Sequence, residues 1–151
     1  MCDMSTIEPV AFVDQTLQGA HMLLKSTHDY IKWQAPLDIE NRGYQETFKV
    51  SCEAMRITVR VTQIIAWLML QKAVLEGDLT RDEVISDEFQ VLRGQTCLES
   101  SSEADPQLPP RLRELLKESR EFYFRILRLD QLSRKRISYG SKSYKKLRRV
   151  T

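Results

Sequence analysis

Apolar residues recur along this chain at steps of three and four, the period of a helix face, and nowhere alternate as a half-buried strand would. The first run is Val10, Val13, Leu17, Ala20, Leu24, Thr27 and Ile31, with Thr27 its one polar member. It predicts a helix from about Pro9, a residue suited to the first helical position, to about Gln34. Pro36 is expected to stop it, because the residue before a proline is pushed out of the helical region. The short link over 35–43 then folds the chain back as an antiparallel hairpin.

A second helix is predicted from about Tyr44 to Glu76, with Gly77 as a left-handed C-cap. At 1.5 Å per residue it spans ~50 Å. Two apolar rows run along it. One comprises Cys52, Met55, Val59, Thr62, Ala66, Met69 and Ala73; the other Ile57, Val61, Ile64, Leu68 and Leu75. The rows lie ~200° apart at 100° per residue. A helix in a monomeric bundle needs about one such stripe, so two predict a helix held between its own bundle and another chain. The row Ile57, Val61, Ile64, Leu68 and Leu75, with Trp67 at its edge, is the expected homodimer seam, two-fold dimers being the commonest oligomers. Cover within one chain, by a short helix or by the last one, is the alternative. Cys52, in the other row, is expected as a small core hydrophobe.

Thr80 opens a short helix, and Glu83 completes its capping box. Val84, Ile85, Phe89 and Leu92 give it an apolar side, and Gly94 ends it. Residues 95–107, which include CLESSSEADP, read as a solvated, mobile loop. Beyond Pro109 and Pro110 the last helix shows Leu112, Leu115, Ser119, Phe122, Ile126, Leu129 and Leu132 at helical spacing. The periodicity fades after Ile137. The expected fold is all-α, an antiparallel bundle of three long helices plus one short helix. An N-terminal extension over 1–8 precedes the bundle domain at 9–137, and a flexible basic C-terminal tail follows at 138–151.

Composition narrows the class. The 151 residues are 42% hydrophobic and 29% charged, globular values for one domain. Five Gly and five Pro leave little material for the tight turns of a sheet protein. Cys2, Cys52 and Cys97 are odd in number without CxxC spacing, which argues against a disulfide framework or a zinc site and fits a reducing cytoplasm. MCDMSTIEPV has neither a basic n-region nor an apolar h-region, so no signal peptide is expected. The apolar run from Ile64 to Leu70 falls far short of the ~20 residues a spanning helix needs, so no membrane insertion is expected.

The net charge of +2 hides an asymmetry. Arg134, Lys135, Arg136, Lys142, Lys145, Lys146, Arg148 and Arg149 stand without an acidic residue among them, leaving the first 132 residues at −6. An acidic body therefore carries a basic tail. Tyr139 and Tyr144 among these lysines suit base stacking, which makes a nucleic-acid-associated protein the alternative functional reading. The acidic body would repel phosphate, so a nucleic-acid partner is disfavoured against contact with an acidic protein and against a disordered basic end with no fixed target.

Catalytic chemistry is not written here. His21 and His28 are two helical turns apart, ~10.5 Å along the axis, too far to share one ion. Cys97 has no His or charged neighbour in sequence to activate it, although its loop position makes an accessible thiol the expectation. No GxSxG, P-loop, GxGxxG or HExxH occurs. No catalytic, metal or cofactor residue is proposed, and a non-enzyme is expected.

One polar row remains. Glu53, Arg56, Arg60, Gln63 and Trp67 share a face of the second helix, with Glu53 placed to pair with Arg56. Arg and Trp are enriched in binding hot spots, so this row is the expected partner-docking stripe. The alternative is a bundle edge, arginine stems lying over apolar surface with heads in water.

The segment CEAMRITVRVTQIIAWLMLQKAVLEGDLT, followed after a variable loop by LPPRLRELLKESREFYFRILRLD, resembles the alphaproteobacterial RcdA family, regulators of CtrA degradation. Met55-Arg56, Gln63, Ala66-Trp67-Leu68, Gln71 and Glu76-Gly77 carry the resemblance, which covers the two later long helices; the first helix matches only in character. The resemblance implies a dimeric three-helix adaptor with a disordered C-terminal segment. Such an adaptor brings regulators such as CtrA to the ClpXP protease in cell-cycle control, in concert with a CpdR-like response regulator. The strongly basic tail departs from that pattern.

Overall fold

The computed structural model describes residues 4–94 and 97–147, with side chains over 8–94 and 97–136. The chain is an all-α bundle, as its periodicity requires. Helix α1 spans Met4–Asp29 and passes through a π-helical turn, Tyr30–Gln34, into the short α2, Ala35–Ile39. The long α3, Tyr44–Glu76, runs back along it. After α4, Arg81–Val84, and the 3-10 turns Asp87–Phe89 and Ser101–Ala104, the chain enters α5, Pro110–Leu147. Helix α3 is central and packs against both α1 and α5.

Pro36 does not stop the first helix. A proline inside a regular helix lacks an N–H and crowds the carbonyl four residues back. Here the preceding turn widens instead, and the Ala35 N–H reaches back to the Tyr30 carbonyl, the spacing of a π turn. The inward position passes to Tyr30, which is buried, while Ile31 at the end of the expected row is exposed. The Tyr30 hydroxyl donates to Asp38 Oδ2 at 3.0 Å, and the Gln34 amide donates to Asp38 Oδ1 at 3.0 Å, tying the π turn to α2. Burial, then the Asp38 carboxylate, pushes the Tyr30 phenol well above its ordinary value. Pro9 also lies inside α1 rather than at its start.

The junctions after α3 follow the sequence closely. Gly77 adopts φ 83°, and its N–H closes on the Ala73 and Val74 carbonyls. A side chain would meet no atom there but would strain that left-handed backbone. Thr80 caps α4 with Glu83 in a reciprocal box. The expected short helix is nevertheless only Arg81–Val84 in α-form; beyond it the chain makes a 3-10 turn and extends.

The core is built from Val13, Ala20 and Leu23 of α1, Ile57, Val61, Ile64 and Leu68 of α3, and Leu112, Leu115 and Ile126 of α5. This corrects the expected dimer seam. Ile57, Val61, Ile64 and Leu68 are each fully buried within one chain, and Leu75 is partly buried against the same core. The buried positions of α3, from Val50 to Leu68, occupy one arc about 140° wide. One wide face thus serves both neighbouring helices.

The last helix continues through 138–147, where the sequence suggested a flexible tail. Lys, Arg and Leu are good helix formers, and Gly140, the one strong breaker there, costs about 1 kcal/mol, which a helix already nucleated by its docked half absorbs. Lys142, Lys145 and Lys146 lie on this helical backbone, while Arg148 and Arg149 lie outside the described residues.

Candidate interaction surfaces

Helix α3 carries the residues singled out by sequence, and the structure sends its two sides to different tasks. The polar row Glu53, Arg56, Arg60, Gln63 and Trp67 faces inward, along the α5 edge of the buried arc. Glu53, Arg60 and Trp67 are buried and Arg56 and Gln63 half-buried. As a surface for another molecule, this stripe is corrected. What it docks is the chain's own segment between α4 and α5.

Arg60 is the anchor. Fully buried, it donates from Nε to the Cys97 carbonyl at 2.9 Å and from one terminal nitrogen to the Glu99 carbonyl at 2.6 Å. The other terminal nitrogen reaches the Leu116 carbonyl at 3.0 Å and Ser119 Oγ at 3.2 Å. A guanidinium is a planar fork of five donors, so one side chain spans loop and helix at once. Burial, then repulsion from Arg56, lowers its pKa from the ordinary value, but an arginine stays protonated. Arg56 lies between carboxylates, 3.4 Å from Glu53 and 3.3 Å from Glu99.

Two more members of the row do the same work further along. Gln63 donates to the Arg93 carbonyl at 2.9 Å and accepts from the Arg93 N–H at 3.1 Å, while the Tyr123 hydroxyl donates to its Oε1 at 2.8 Å. Trp67 Nε1 donates to Asp130 Oδ1 at 2.9 Å. The other Asp130 oxygen accepts from Arg134 at 2.8 Å, and Arg134 also donates to the Ile85 carbonyl at 2.9 Å. Arg134, counted by sequence with the basic tail, is therefore a bundle strut, whereas Lys135 and Arg136 are exposed.

The loop after Cys97 is correspondingly packed. Cys97, Ser102 and Leu108 are buried. Ion pairs from Lys49 to Asp105 and from Arg120 to Glu103 fasten it to α3 and α5. The Cys97 thiol, expected to be accessible, is enclosed, and burial raises its pKa. Burial likewise pushes the Tyr123 phenol up to about 12.

The opposite side of α3 is the open one. Cys52, taken by sequence for a core residue, is exposed. Its row continues as Met55, Val59, Thr62 and Met69, with Met55 69% and Met69 59% exposed. Two residues outside the sequence-derived row, Tyr44 and Phe48, extend it toward the start of α3 at 85% and 61% exposure. The signal was available: 44, 48 and 52 continue the same face by steps of four. Lone exposed hydrophobics are ordinary, but this is a file of them along one helix, an apolar face that no other element among the described residues covers.

His21 and His28 are both exposed. No group of three or more His, Cys, Asp or Glu among the described residues is placed to hold a metal ion. No helix among them is long and apolar enough to cross a membrane.

A family model described as protein of unknown function (DUF1465) matches residues 8–148. Among solved structures, the chain is similar to the crystal structure of RcdA from Caulobacter crescentus CB15, with a TM-score of 0.62 and 25% sequence identity. That match covers 80% of this chain and 89% of that one. No curated protein matches in sequence.

Proposed function

The chain belongs to the DUF1465 family, and on that premise, with its RcdA-like fold, we propose that it is a non-enzymatic adaptor that delivers regulatory proteins to the ClpXP protease. The observation that carries this is the fold shared with RcdA together with an uncovered apolar file on α3. Its partners in this reading are the protease with a CpdR-like response regulator and a CtrA-like cargo, in the cytoplasm. The buried polar row then belongs to the scaffold.

The reading includes a homodimer, with its seam moved to the exposed face. Met55 and Met69 lie two helical turns either side of Thr62. A two-fold axis passing Thr62 would set each Met55 against the partner copy's Met69 in an antiparallel pair, with the small side chains of Cys52, Ala66 and Ala73 permitting close approach.

Two measurements test this. In a reconstituted degradation assay with ClpXP, a CpdR-like regulator and a CtrA-like substrate, adding the protein accelerates substrate loss; no acceleration for any such substrate refutes the adaptor. Light scattering coupled to size exclusion gives a dimer for the parent chain and a monomer for Met55→Asp/Met69→Asp. Both residues are exposed, so the variant folds, and a dimer that survives the double change refutes the seam.

A further inference from the structure

A second apolar surface lies at one end of the bundle. The first half of α1, the end of α3, the whole of the short α4 and the middle of α5 line an open groove of about 370 Å³. Its walls are apolar: Phe12, Val13, Val74, Leu75, Val84 and Leu129. Phe12 is 51% exposed, an aromatic ring left beside an unfilled cleft.

The polar lining differs from that of the interior row. Gln71 and Ser133 offer an amide and a hydroxyl to the same groove, and Arg81 and Arg136 stand exposed in its lining. Among the described residues neither arginine forms an ion pair. The one carboxylate in the lining, Asp130, is already held by Trp67 and Arg134. The groove is thus apolar in its walls and positive at its lip. The helix leaving it through Arg136 continues in a sequence with Lys142, Lys145 and Lys146 and no acidic residue.

We propose that this groove docks a protein segment in which aliphatic side chains are flanked by carboxylates. The aliphatic groups fill the wall between α1, α3 and α5, where removal from water supplies the affinity. Arg81 and Arg136 pair with the flanking carboxylates and set the preference for an acidic segment. Gln71 and Ser133 satisfy peptide-backbone groups that would otherwise be desolvated without partners. Charge complementarity selects the occupant, since a basic or neutral apolar segment leaves the two guanidinium groups without counter-charge. The open shape and the polar Gln71 and Ser133 fit a peptide better than an alkyl chain, which gains nothing from an amide donor.

Naming a protein segment as the occupant rests on the adaptor reading, and the two are tested apart. The probe is a fluorescein-labelled short peptide with adjacent leucines between acidic runs, titrated with the full chain and followed by anisotropy. Saturable binding is expected, weakened at least about tenfold in Arg81→Glu/Arg136→Glu, in Phe12→Ser, and when the leucines become serine. All three altered positions on the protein are exposed, and an unchanged thermal melt certifies the fold. Absence of saturable binding overturns the proposal, as does binding indifferent to the arginine change. Displacement of the peptide by micromolar decanoate, which would mark an alkyl-chain site, overturns it too. A protein that accelerates degradation but binds no peptide overturns the groove alone. One that binds the peptide but accelerates nothing overturns the adaptor alone.

Discussion

Replacing Arg60 by Met keeps an unbranched stem as far as the position of Nε and deletes the donors that hold the loop after Cys97. The lost partners are the Cys97 and Glu99 carbonyls on the loop, at 2.9 and 2.6 Å, and Leu116 O and Ser119 Oγ on α5. A hydrogen bond to a charged group contributes about 1.5–3 kcal/mol. The two loop bonds are thus worth about 3 kcal/mol once water re-solvates the freed carbonyls in the open state. Opening of the loop should become about a hundredfold more frequent, at 1.4 kcal/mol per factor of ten. Cys97 reports this directly, because its thiol is buried and reacts only when the loop opens. With Cys2 and Cys52 changed to Ser, alkylation of the remaining thiol by iodoacetamide should accelerate about a hundredfold in Arg60→Met. Arg60→Lys, which keeps charge but loses the fork, should fall between. Urea denaturation of the same samples separates loop opening from global unfolding. Alkylation within about threefold of the parent rate would refute the anchoring role of Arg60.

Trp67→Phe retains the ring in the core but removes the Nε1 donor to Asp130, leaving a carboxylate oxygen short of a partner. A loss of about 1.5 kcal/mol in urea midpoint stability is expected, and a loss below about 0.3 would show the bond to be inert. The remaining emission, from Trp33 at 66% exposure, should sit at the wavelength of a solvated indole. Asp105 is held below the usual carboxylate range, first by the Lys49 hydrogen bond and then by the Gln107 N–H. A depressed folded pKa contributes stability above the unfolded value near ~3.9 and loses it as pH falls through the folded value. Amide protection of residues 103–108 should therefore hold from neutral pH down to about 4 and fall only below it. Asp105→Asn should lower protection at neutral pH and flatten the acid limb; an unchanged acid limb would contradict the assignment.

The resemblance motif acquires a physical meaning from these contacts. Arg56, Gln63 and Trp67 were legible as an unusual polar row on an apolar helix, and the row does bind something. For Arg56 and Gln63 the ligand is the connection between α4 and α5, distant in sequence and without periodicity of its own, and for Trp67 it is Asp130 of α5. No spacing rule pairs Arg60 with the carbonyls of Cys97 and Glu99, because carbonyls are present at every residue. Only the tertiary approach of the loop makes these two the acceptors.

What the sequence determined by itself was local. Periods of three and four fix three long helices, Gly77 fixes a left-handed cap because that backbone strains any side chain, and Thr80 with Glu83 fixes a capping box. It also determined that α3 has two apolar rows. Which row is core was decided by tertiary structure, since both have helical spacing and periodicity carries no information on where neighbours sit. The row Ile57, Val61, Ile64 and Leu68 has the larger, branched side chains, which fill the space between α1 and α5. Cys52, Thr62, Ala66 and Ala73 are too small to fill it, and so that row was left facing water. Pro36 illustrates the same division. Its ring disfavours a regular α turn, which the sequence states, but whether the chain stops or widens into a π turn is settled by Tyr30 finding the core and Asp38.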